Sequence, residues 1–529
     1  MAITLLLISA ILLLCIIADK FSVRFGLPAL ILFMIIGMLF GCDGIIRIQF
    51  DNYDISQNIC IIALSFIMFY GGFNTKWSTA RQVAPKAILL STAGVLITAA
   101  LTALFCYFIL NFSFVESFAI GSVLSSTDAA SVFSILRKKN LNLKSGTAPL
   151  LEIESGSNDP VSYLLTVISI ILINNEGLND IPKLIFTQVF FGILIGVITA
   201  FVGIFILTKT TIVSEGLETI FMVSLIMLAF GTTMKLSGNE FLSVYLLGII
   251  LGNYKIRHKK TMIHFFDGIT TLAQILIFFL LGLLSFPHKM PEIALSALAI
   301  VAFLTLIARP VAVFGLMLPC KCSIRQCSLV SWAGLRGAAS IVFSIMIVAG
   351  TENVSFDIFH IVFMVALFSV AIQGTFIPKI SELLCMVDDS EDVRKTFNDY
   401  QDESAITLMR MYIPEGHNWE NRLVSDVSMP TDSLAIMIKR NNSTIIPKGN
   451  TKILAHDSII LSVPSYEPSG KEDLEEILID KEHAWCNKKI AELNLPGNVL
   501  IALIRRGDEN LIPDGNTLIC ENDLVVTYK

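Results

Sequence analysis

The chain has 529 residues, of which 54% are hydrophobic and 16% are charged, and its mean hydropathy is +0.72. This composition excludes a soluble enzyme and is typical of a polytopic α-helical membrane protein. The net charge of −6 is unevenly spread, because residues 1–386 carry 23 Lys and Arg against 19 Asp and Glu, whereas the remaining residues carry 15 against 25.

The first part of the chain contains about 13 apolar runs that can each cross a bilayer. Their centres lie near Leu12, Phe33, Ala63, Leu96, Leu124, Leu165, Ile195, Leu225, Leu247, Phe278, Phe303, Phe343 and Leu367. The short loops between them alternate in charge, with 16 Lys and Arg on one side and 4 on the other. Because cytoplasmic loops carry the excess of positive charge, we expect the N-terminus outside and the C-terminal tail in the cytoplasm.

The fifth run contains the segment Ser125-Ser126-Thr127-Asp128, in which hydroxyl residues surround an acid. Such a cluster favours local unwinding of the helix, and exposed backbone is tolerated in a membrane only where it lines a cavity. The alternative is an intact helix whose hydroxyl groups bond back to its own carbonyls.

The sixth run opens on a polar segment, residues 152–160. If this run is helical, Ser155 and Asp159 are i,i+4 neighbours on one face, and Glu154 and Asn158 form a second such pair. A charge at the centre of a membrane costs about 2.5–3.5 kcal/mol, so acids there are functional candidates. Asp159 is the main candidate because an apolar run follows it directly. The alternative is a helix end at the interface with its acids in water.

The twelfth run contains Arg336 between two glycines, in the motif Gly334-Leu335-Arg336-Gly337. A buried Arg needs a partner, and Glu154 is the candidate, with Arg309 as a competitor for the same acid. The alternative is that Arg336 extends to the membrane interface. The fifth and twelfth runs, both interrupted, lie seven runs apart. Interrupted spans at matching positions of two halves indicate a transporter binding site.

The tail contains an internal duplication. The segment Lys439–Asp457 recurs as Arg505–Asp523 at an offset of 66 residues, and both copies contain a Pro-x-Gly-Asn-Thr turn. Runs rich in β-branched residues flank each turn and predict strands. We therefore expect a membrane domain over 1–386, a linker over 387–402, and two related domains over 403–467 and 468–529.

These motifs together resemble those of a cation:proton antiporter of the NhaP-like branch, in its potassium/proton type, and the resemblance covers nearly the whole chain. It implies a protomer of 13 transmembrane helices with inverted repeats, in the NhaA/NapA-like antiporter fold. This fold has a dimer domain and a mobile core domain, in which the fifth and twelfth spans are broken and cross near mid-membrane. The tail resembles two TrkA-C (RCK C-terminal) domains, which are cytosolic α+β units.

The resemblance also assigns roles to individual residues. Asp159 alternately carries a proton or a cation, and Thr127 and Ser155 supply oxygen ligands beside it. Asn158 and Asp128 hold the site and compensate the broken helix ends. Because burial favours the protonated form of a carboxylate and a bound cation favours the ionised form, the proton and the cation compete for the same oxygens.

The resemblance also bears on an ion pair, on a departure from the family pattern and on the charge balance of exchange. Glu154 and Arg336 are expected to form a structural ion pair. Many relatives carry an acid immediately before the Gly-Gly pair of the third span, where this chain has Tyr70. A single acid, Asp159, preceded by Asn158, is the pattern that goes with electroneutral exchange in this family.

The expected function is exchange of a monovalent cation, potassium first and sodium as the alternative, for protons across the cell membrane. The expected partners are these cations, protons, the lipid bilayer and a second copy of the chain, with no nucleic acid. No catalytic cofactor is expected, and cyclic di-AMP is one regulatory ligand that the tail resemblance implies, with other nucleotides, ions or protons as alternatives. The rival functions are a potassium channel, for which a T-V-G-Y-G filter is lacking, and an anchored membrane sensor.

Overall fold

The computed structural model divides into two units, Met1–Asp402 and Glu403–Lys529. In the first unit the structure describes residues 2–25, 28–139, 141–175, 177–210, 216–256, 258–351 and 357–387. In the second it describes residues 406–427, 429, 433–440, 443–464, 474–479, 483, 485–486, 488–493, 500–506, 509–511, 513–521 and 523–528. The predicted linker, apart from residue 387, lies outside the described residues.

The described part of the first unit is helical. Its helices are α1 (Ala2–Phe25), α2 (Ala29–Phe40), α3 (Tyr53–Asn74), α4 (Trp77–Leu89), α5 (Val95–Phe108), α6 (Phe114–Val123), α7 (Ala129–Lys138), α8 (Thr147–Asn174), α9 (Ile181–Lys209), α10 (Glu218–Lys235), α11 (Glu240–Gly252), α12 (Lys259–Leu284), α13 (Met290–Phe303), α14 (Arg309–Met317), α15 (Ile324–Trp332), α16 (Ala338–Gly350), α17 (Ile358–Phe368) and α18 (Thr375–Leu383). Short π-helical turns join α4 to α5, α13 to α14, and α17 to α18.

Nine helical stretches among the described residues are long and apolar enough to cross a membrane. They are Leu5–Ser22, Tyr53–Asn74, Ala80–Phe108, Thr147–Asn174, Ile181–Lys209, Glu218–Lys235, Thr261–Leu284, Pro287–Met317 and Ile358–Leu383. The other predicted centres fall in or beside shorter apolar helices, namely α2, α6, α11 and α16. These stretches agree with the predicted multi-pass membrane domain, while the count of 13 spans stays a prediction.

The helices pack into two groups. The first bundle comprises α1–α3 and α9–α12, and the second bundle comprises α4–α8 and α13–α18. Close approach inside the first bundle depends on glycine, because a Cβ at Gly248 of α11 would lie 2.9 Å from the backbone nitrogen of Phe73 in α3. The bundles meet where α16 packs on α3 and where α8 packs on α11.

The fifth and twelfth predicted spans are interrupted in the second bundle. The fifth is broken between the end of α6 at Val123 and the start of α7 at Ala129. The twelfth is broken between Trp332 and Ala338. The predicted unwinding is therefore present, and the alternative of an intact fifth helix is wrong. By contrast, α8 passes without a break through Pro160.

The tail contains two four-stranded antiparallel sheets. The first sheet has the order β1-β4-β2-β3 and the second has the order β5-β8-β6-β7. The strands are β1 (Ile406–Tyr412), β2 (Leu434–Arg440), β3 (Ser443–Ile445), β4 (Ser458–Pro464), β5 (Leu474–Leu478), β6 (Leu500–Arg506), β7 (Glu509–Leu511) and β8 (Leu524–Tyr528).

The two sheets share their register as well as their strand order. Ile438 pairs with Ile445 in the first sheet, and Ile504 pairs with Leu511 in the second. The second strand of each sheet also has a bulge at the same place, before Met437 and before Leu503. The two tail sheets are therefore repeats of one unit, as the duplicated sequence predicts. Among the described residues of the tail there are strands and short 3-10 turns but no α-helix, so the helical part of the expected α+β units is not seen there.

Candidate functional site

The two interrupted spans cross at their breaks. The backbone N–H of Asp128 donates a hydrogen bond to the carbonyl of Leu335, at 2.8 Å. The Nη1 group of Arg336 donates to the carbonyl of Ser126, at 2.7 Å, and the backbone N–H of Arg336 donates to Ser369 Oγ, at 3.0 Å. Backbone groups that the breaks remove from helical hydrogen bonding thus find partners across the crossing or, for the N–H of Arg336, in the turn between α17 and α18.

Asp159 lies beside this crossing, near the middle of the 28-residue helix α8. Its side chain is 4% exposed, so the alternative of a helix end in water is wrong. The hydroxyl of Ser126 donates a hydrogen bond to one carboxylate oxygen of Asp159. Sequence reasoning assigned no role to Ser126, although it lies in the same hydroxyl run as Thr127.

The side chains of Asn158 and Ser155 tie α8 to the break in the fifth span. Asn158 Nδ2 donates to Thr127 Oγ1 at 2.5 Å and to Glu154 Oε1 at 3.3 Å. Ser155 Oγ donates to the carbonyl of Thr127 at 2.8 Å. Asn158 Oδ1 is buried and has no hydrogen-bond partner among the described residues. The structure thus brings together Thr127, Ser155, Asn158 and Asp159, and their roles in binding an ion stay predictions.

Asp128 lies at the start of α7. Its carboxylate accepts hydrogen bonds from the backbone N–H of Ser131, at 3.1 Å, and from the Ser131 hydroxyl. This is the geometry of an N-terminal helix cap, which compensates the orphan N–H groups and the dipole of a helix start. A Cβ at Gly337 would lie 2.6 Å from Asp128 Cγ, so the glycine leaves the space that this carboxylate occupies.

The ion-pair partner of Glu154 is Arg309, not Arg336. Arg309 Nη2 lies 2.8 Å from Glu154 Oε2, and both side chains are 2% exposed or less. Arg336 instead donates to the Ser126 carbonyl, so the predicted contact between Glu154 and Arg336 is wrong. Arg309 passes close to the crossing because Gly334 has no side chain, and a Cβ there would lie 2.8 Å from Arg309 Nε.

A cavity of about 420 Å³ is lined by Asp159, Ser126, Asp128 and Ser155. Its other walls come mainly from the last turns of α3 and from α12. The end of α3 and the starts of α8 and α12 adjoin the loops of Lys76, Lys144 and Lys255, which belong to the side that carries 16 Lys and Arg. The cavity therefore lies in the half of the membrane domain next to those loops.

Aromatic side chains pack on the other side of Asp159. Tyr163, one turn further along α8, lies against Phe241 and Phe343, with ring centroids 5.0 and 5.9 Å away. Its hydroxyl donates to Glu240 Oε1 at 2.7 Å. Sequence reasoning did not identify Glu240, a buried acid in the first turn of α11. The contact joins α8 of the second bundle to α11 of the first.

Comparison with known proteins places these features in a family. The model of the sodium/hydrogen exchanger transmembrane family matches residues 9–382, and the TrkA-C domain model matches residues 474–526. The chain is 31% identical to a K(+)/H(+) antiporter, NhaP2, of Shewanella oneidensis over 85% of this chain and 78% of that protein. It is 30% identical to a K(+)/H(+) antiporter of Alkalimonas amylolytica over 87% of this chain and 80% of that protein.

A solved structure has the same membrane fold. The sodium proton antiporter MjNhaP1 of Methanocaldococcus jannaschii superposes with a TM-score of 0.62 at 19% identity, covering 72% of this chain and 99% of that chain. The chain therefore belongs to the sodium/hydrogen exchanger family and carries a TrkA-C domain in its tail.

Proposed function

We propose that the protein is a secondary active transporter that exchanges a monovalent cation for protons across the cytoplasmic membrane by alternating access. The observation that carries this proposal is the buried carboxylate of Asp159, which lines a cavity beside the crossing of two broken helices. Potassium is the proposed cation because the Shewanella and Alkalimonas relatives are named as potassium/proton antiporters. Sodium is the alternative, since a Methanocaldococcus relative, 27% identical over 56% of this chain, is named as a probable sodium/proton antiporter.

Exchange follows from competition at one carboxylate. Asp159 binds either a proton or a cation, and oxygens of Ser126, Thr127 and Ser155 complete the cation shell. A proton on Asp159 removes the charge that attracts the cation, and a bound cation disfavours protonation. If the protein rearranges only when Asp159 is neutralised in one of these ways, each cation that moves in one direction is balanced by a proton in the other.

Alternating access takes place by movement of the second bundle, which carries Asp159, against the first bundle. The observed cavity corresponds to the inward-facing state, and the contacts of Tyr163 with Phe241 and Glu240 close the outward side. In this proposal the membrane domain has 13 spans in two inverted repeats, and the first bundle forms the contact in a homodimer. The N-terminus is outside and the tail is cytoplasmic, in agreement with the basic loops.

The test is flux in proteoliposomes with an imposed pH gradient. Lithium, sodium, potassium or rubidium is added, and intravesicular pH is followed by fluorescence. We expect potassium and rubidium to collapse the pH gradient. The rate of collapse should be the same at every value at which the membrane potential is clamped. Potassium conductance that moves no protons would instead support the potassium channel.

The tail is a regulatory sensor in this proposal, built from two TrkA-C domains over 403–467 and 468–529. The repeated strand order of the two sheets supports a second such domain beside the one that the family model matches. A ligand such as cyclic di-AMP must bind the active and resting states with different affinity to shift their balance. A chain truncated after about Asp389 should still exchange cations for protons but with changed pH or ligand dependence. Loss of all transport in correctly inserted truncated protein would contradict this role.

A further inference from the structure

The helix α12 presents a polar face to the cavity. Asp267, Thr270, Thr271 and Gln274 all line the cavity, and their spacing of i, i+3, i+4 and i+7 places them on one face of the helix. The helix is otherwise apolar enough over Thr261–Leu284 to cross a membrane. An acid within such a stretch carries an insertion cost, so it is expected to have a function.

Asp267 is held in place from the neighbouring helix. The hydroxyl of Tyr70, near the end of α3, donates a hydrogen bond to Asp267 Oδ1 at 2.9 Å. Both residues line the same cavity as Asp159. One phenol oxygen and one carboxylate therefore lie together on the wall of the first bundle, opposite the carboxylate of the second bundle.

Thr270 provides an independent observation. Its side chain is 8% exposed, and its buried hydroxyl oxygen has no hydrogen-bond partner among the described residues. Other membrane-embedded threonines behave differently, since Thr98 and Thr166 each donate to the carbonyl four residues earlier. A buried hydroxyl that lines a cavity and makes no bond to its own helix is suited to a ligand in that cavity.

These groups fit a monovalent cation. Asp267 supplies a negative charge, while Tyr70 and Thr270 supply neutral oxygens, and Asn74 adds a buried amide oxygen without a partner among the described residues. Hard alkali cations are bound by carboxylate, hydroxyl and carbonyl oxygens. The described residues that line the cavity include no Lys or Arg that could form an ion pair with Asp267.

We infer that Asp267, Tyr70 and Thr270 form a second cation subsite in the access cavity, where the ion binds before it reaches Asp159. The inference rests on the proposed cation exchange. The subsite belongs to the first bundle and Asp159 to the second, so the ion passes from one bundle to the other. Asp267 thereby raises the local concentration of cations and sets the apparent affinity for transport, without carrying the exchanged proton.

The first test is exchange kinetics of Asp267→Asn in proteoliposomes, with Asp54→Asn as the matched control. Asp54 is exposed and lies in the first turn of α3, away from Tyr70 in the last turns of that helix. We expect Asp267→Asn to raise the KM for potassium about fivefold, the effect of one nearby charge in a wet cavity, with the maximal rate retained. The difference from the wild type should shrink as ionic strength is raised with an impermeant salt. An unchanged KM, or complete loss of exchange in folded Asp267→Asn protein, overturns the inference.

The second test measures binding without transport. In the Asp159→Asn background, potassium should still raise the thermal stability of the protein, and adding Asp267→Asn should abolish that shift. Asp267→Glu keeps the charge and should preserve the shift. That result would show that the asparagine variant loses the shift because it lacks the charge and not because it is misfolded. If the wild type exchanged no cation, the proposed function would fail, yet this binding shift would still decide the subsite. A stability shift that survives the double substitution contradicts the proposed subsite.

Discussion

Two arginines are buried near the crossing, and each has a separate task. Arg309 neutralises Glu154, whereas Arg336 donates to a carbonyl that the break in the fifth span leaves free. A buried ion pair adds little net stability, but removal of one partner leaves an unpaired charge in a medium that solvates it poorly. The pairing can therefore be measured by substitution.

Replacing Glu154 by Gln, or Arg309 by Met, should each destabilise the protein by about 3–5 kcal/mol, because the remaining charge is buried alone. The double variant should recover part of this loss. Thermal stability of the four proteins in detergent gives the coupling energy. The control is the cycle of Glu154→Gln with Arg336→Met, for which we expect losses closer to additive. Strong coupling to Arg336 and none to Arg309 would contradict the pairing.

At the scale of elements, the crossing of the broken spans depends on how closely they approach. Gly337 precedes α16 and faces the carboxylate that caps α7. The backbone at Gly337 has φ of −135°, so the requirement for glycine here is steric and not conformational. The glycine pair around Arg336 thus creates space on both sides, for Arg309 and for Asp128.

Gly337→Ala should displace Asp128 and lower both stability and exchange rate. An added methyl in a packed site costs about 1–3 kcal/mol. Gly315→Ala in α14 is the matched control, because its new Cβ would meet no atom within 4 Å. That substitution should leave exchange unchanged and slightly favour the helix. Wild-type exchange and stability in Gly337→Ala protein would rule out the steric requirement.

At the scale of the whole molecule, the same arginine–aspartate ion pair is present in both tail repeats. Arg440 Nη2 lies 2.7 Å from Asp457 Oδ2, and Arg506 Nη2 lies 2.8 Å from Asp523 Oδ2. Burial opposes ionisation of both acids, but the arginines and the backbone N–H groups of Leu454 and Cys520 hold the pKa of each carboxyl below its usual range. The repeated arrangement indicates that the same type of ion pair stabilises each sheet.

These depressed pKa values predict how the stability of the tail depends on pH. A carboxyl group whose pKa is lowered in the folded state contributes its full stabilisation above its unfolded-state pKa of about 3.9. This stabilisation is lost as the pH falls through the folded-state pKa. Protease resistance of the tail in the full-length protein should therefore be constant from neutral pH down to about pH 5 and fall below about pH 4. In Asp457→Asn protein the first repeat should be sensitive already at neutral pH. A tail that loosens between pH 7 and 5 would contradict this account.

Much of this architecture is predictable from the sequence, because composition and periodicity reflect local physics. Hydroxyls around Asp128 and glycines around Arg336 predict the two breaks, and an apolar run after Asp159 predicts a buried acid. The choice of Arg309 over Arg336 for Glu154 is not predictable, since both are buried cations and only packing decides which reaches the acid. The Tyr70–Asp267 contact is not predictable either, because 197 positions separate the two residues in the sequence.

The measurement that most directly tests the account is proton-coupled cation flux in Asp159→Asn proteoliposomes. Asp159 is the carboxylate at which we propose that proton and cation compete, so an amide should bind neither the proton nor the charge-balanced cation. We expect no exchange of potassium or sodium for protons, while Asp54→Asn protein, reconstituted to the same density, retains wild-type flux. Stability close to that of the wild type would show that Asp159→Asn protein is folded. Cation-dependent proton movement that persists in this variant would contradict the assignment of Asp159.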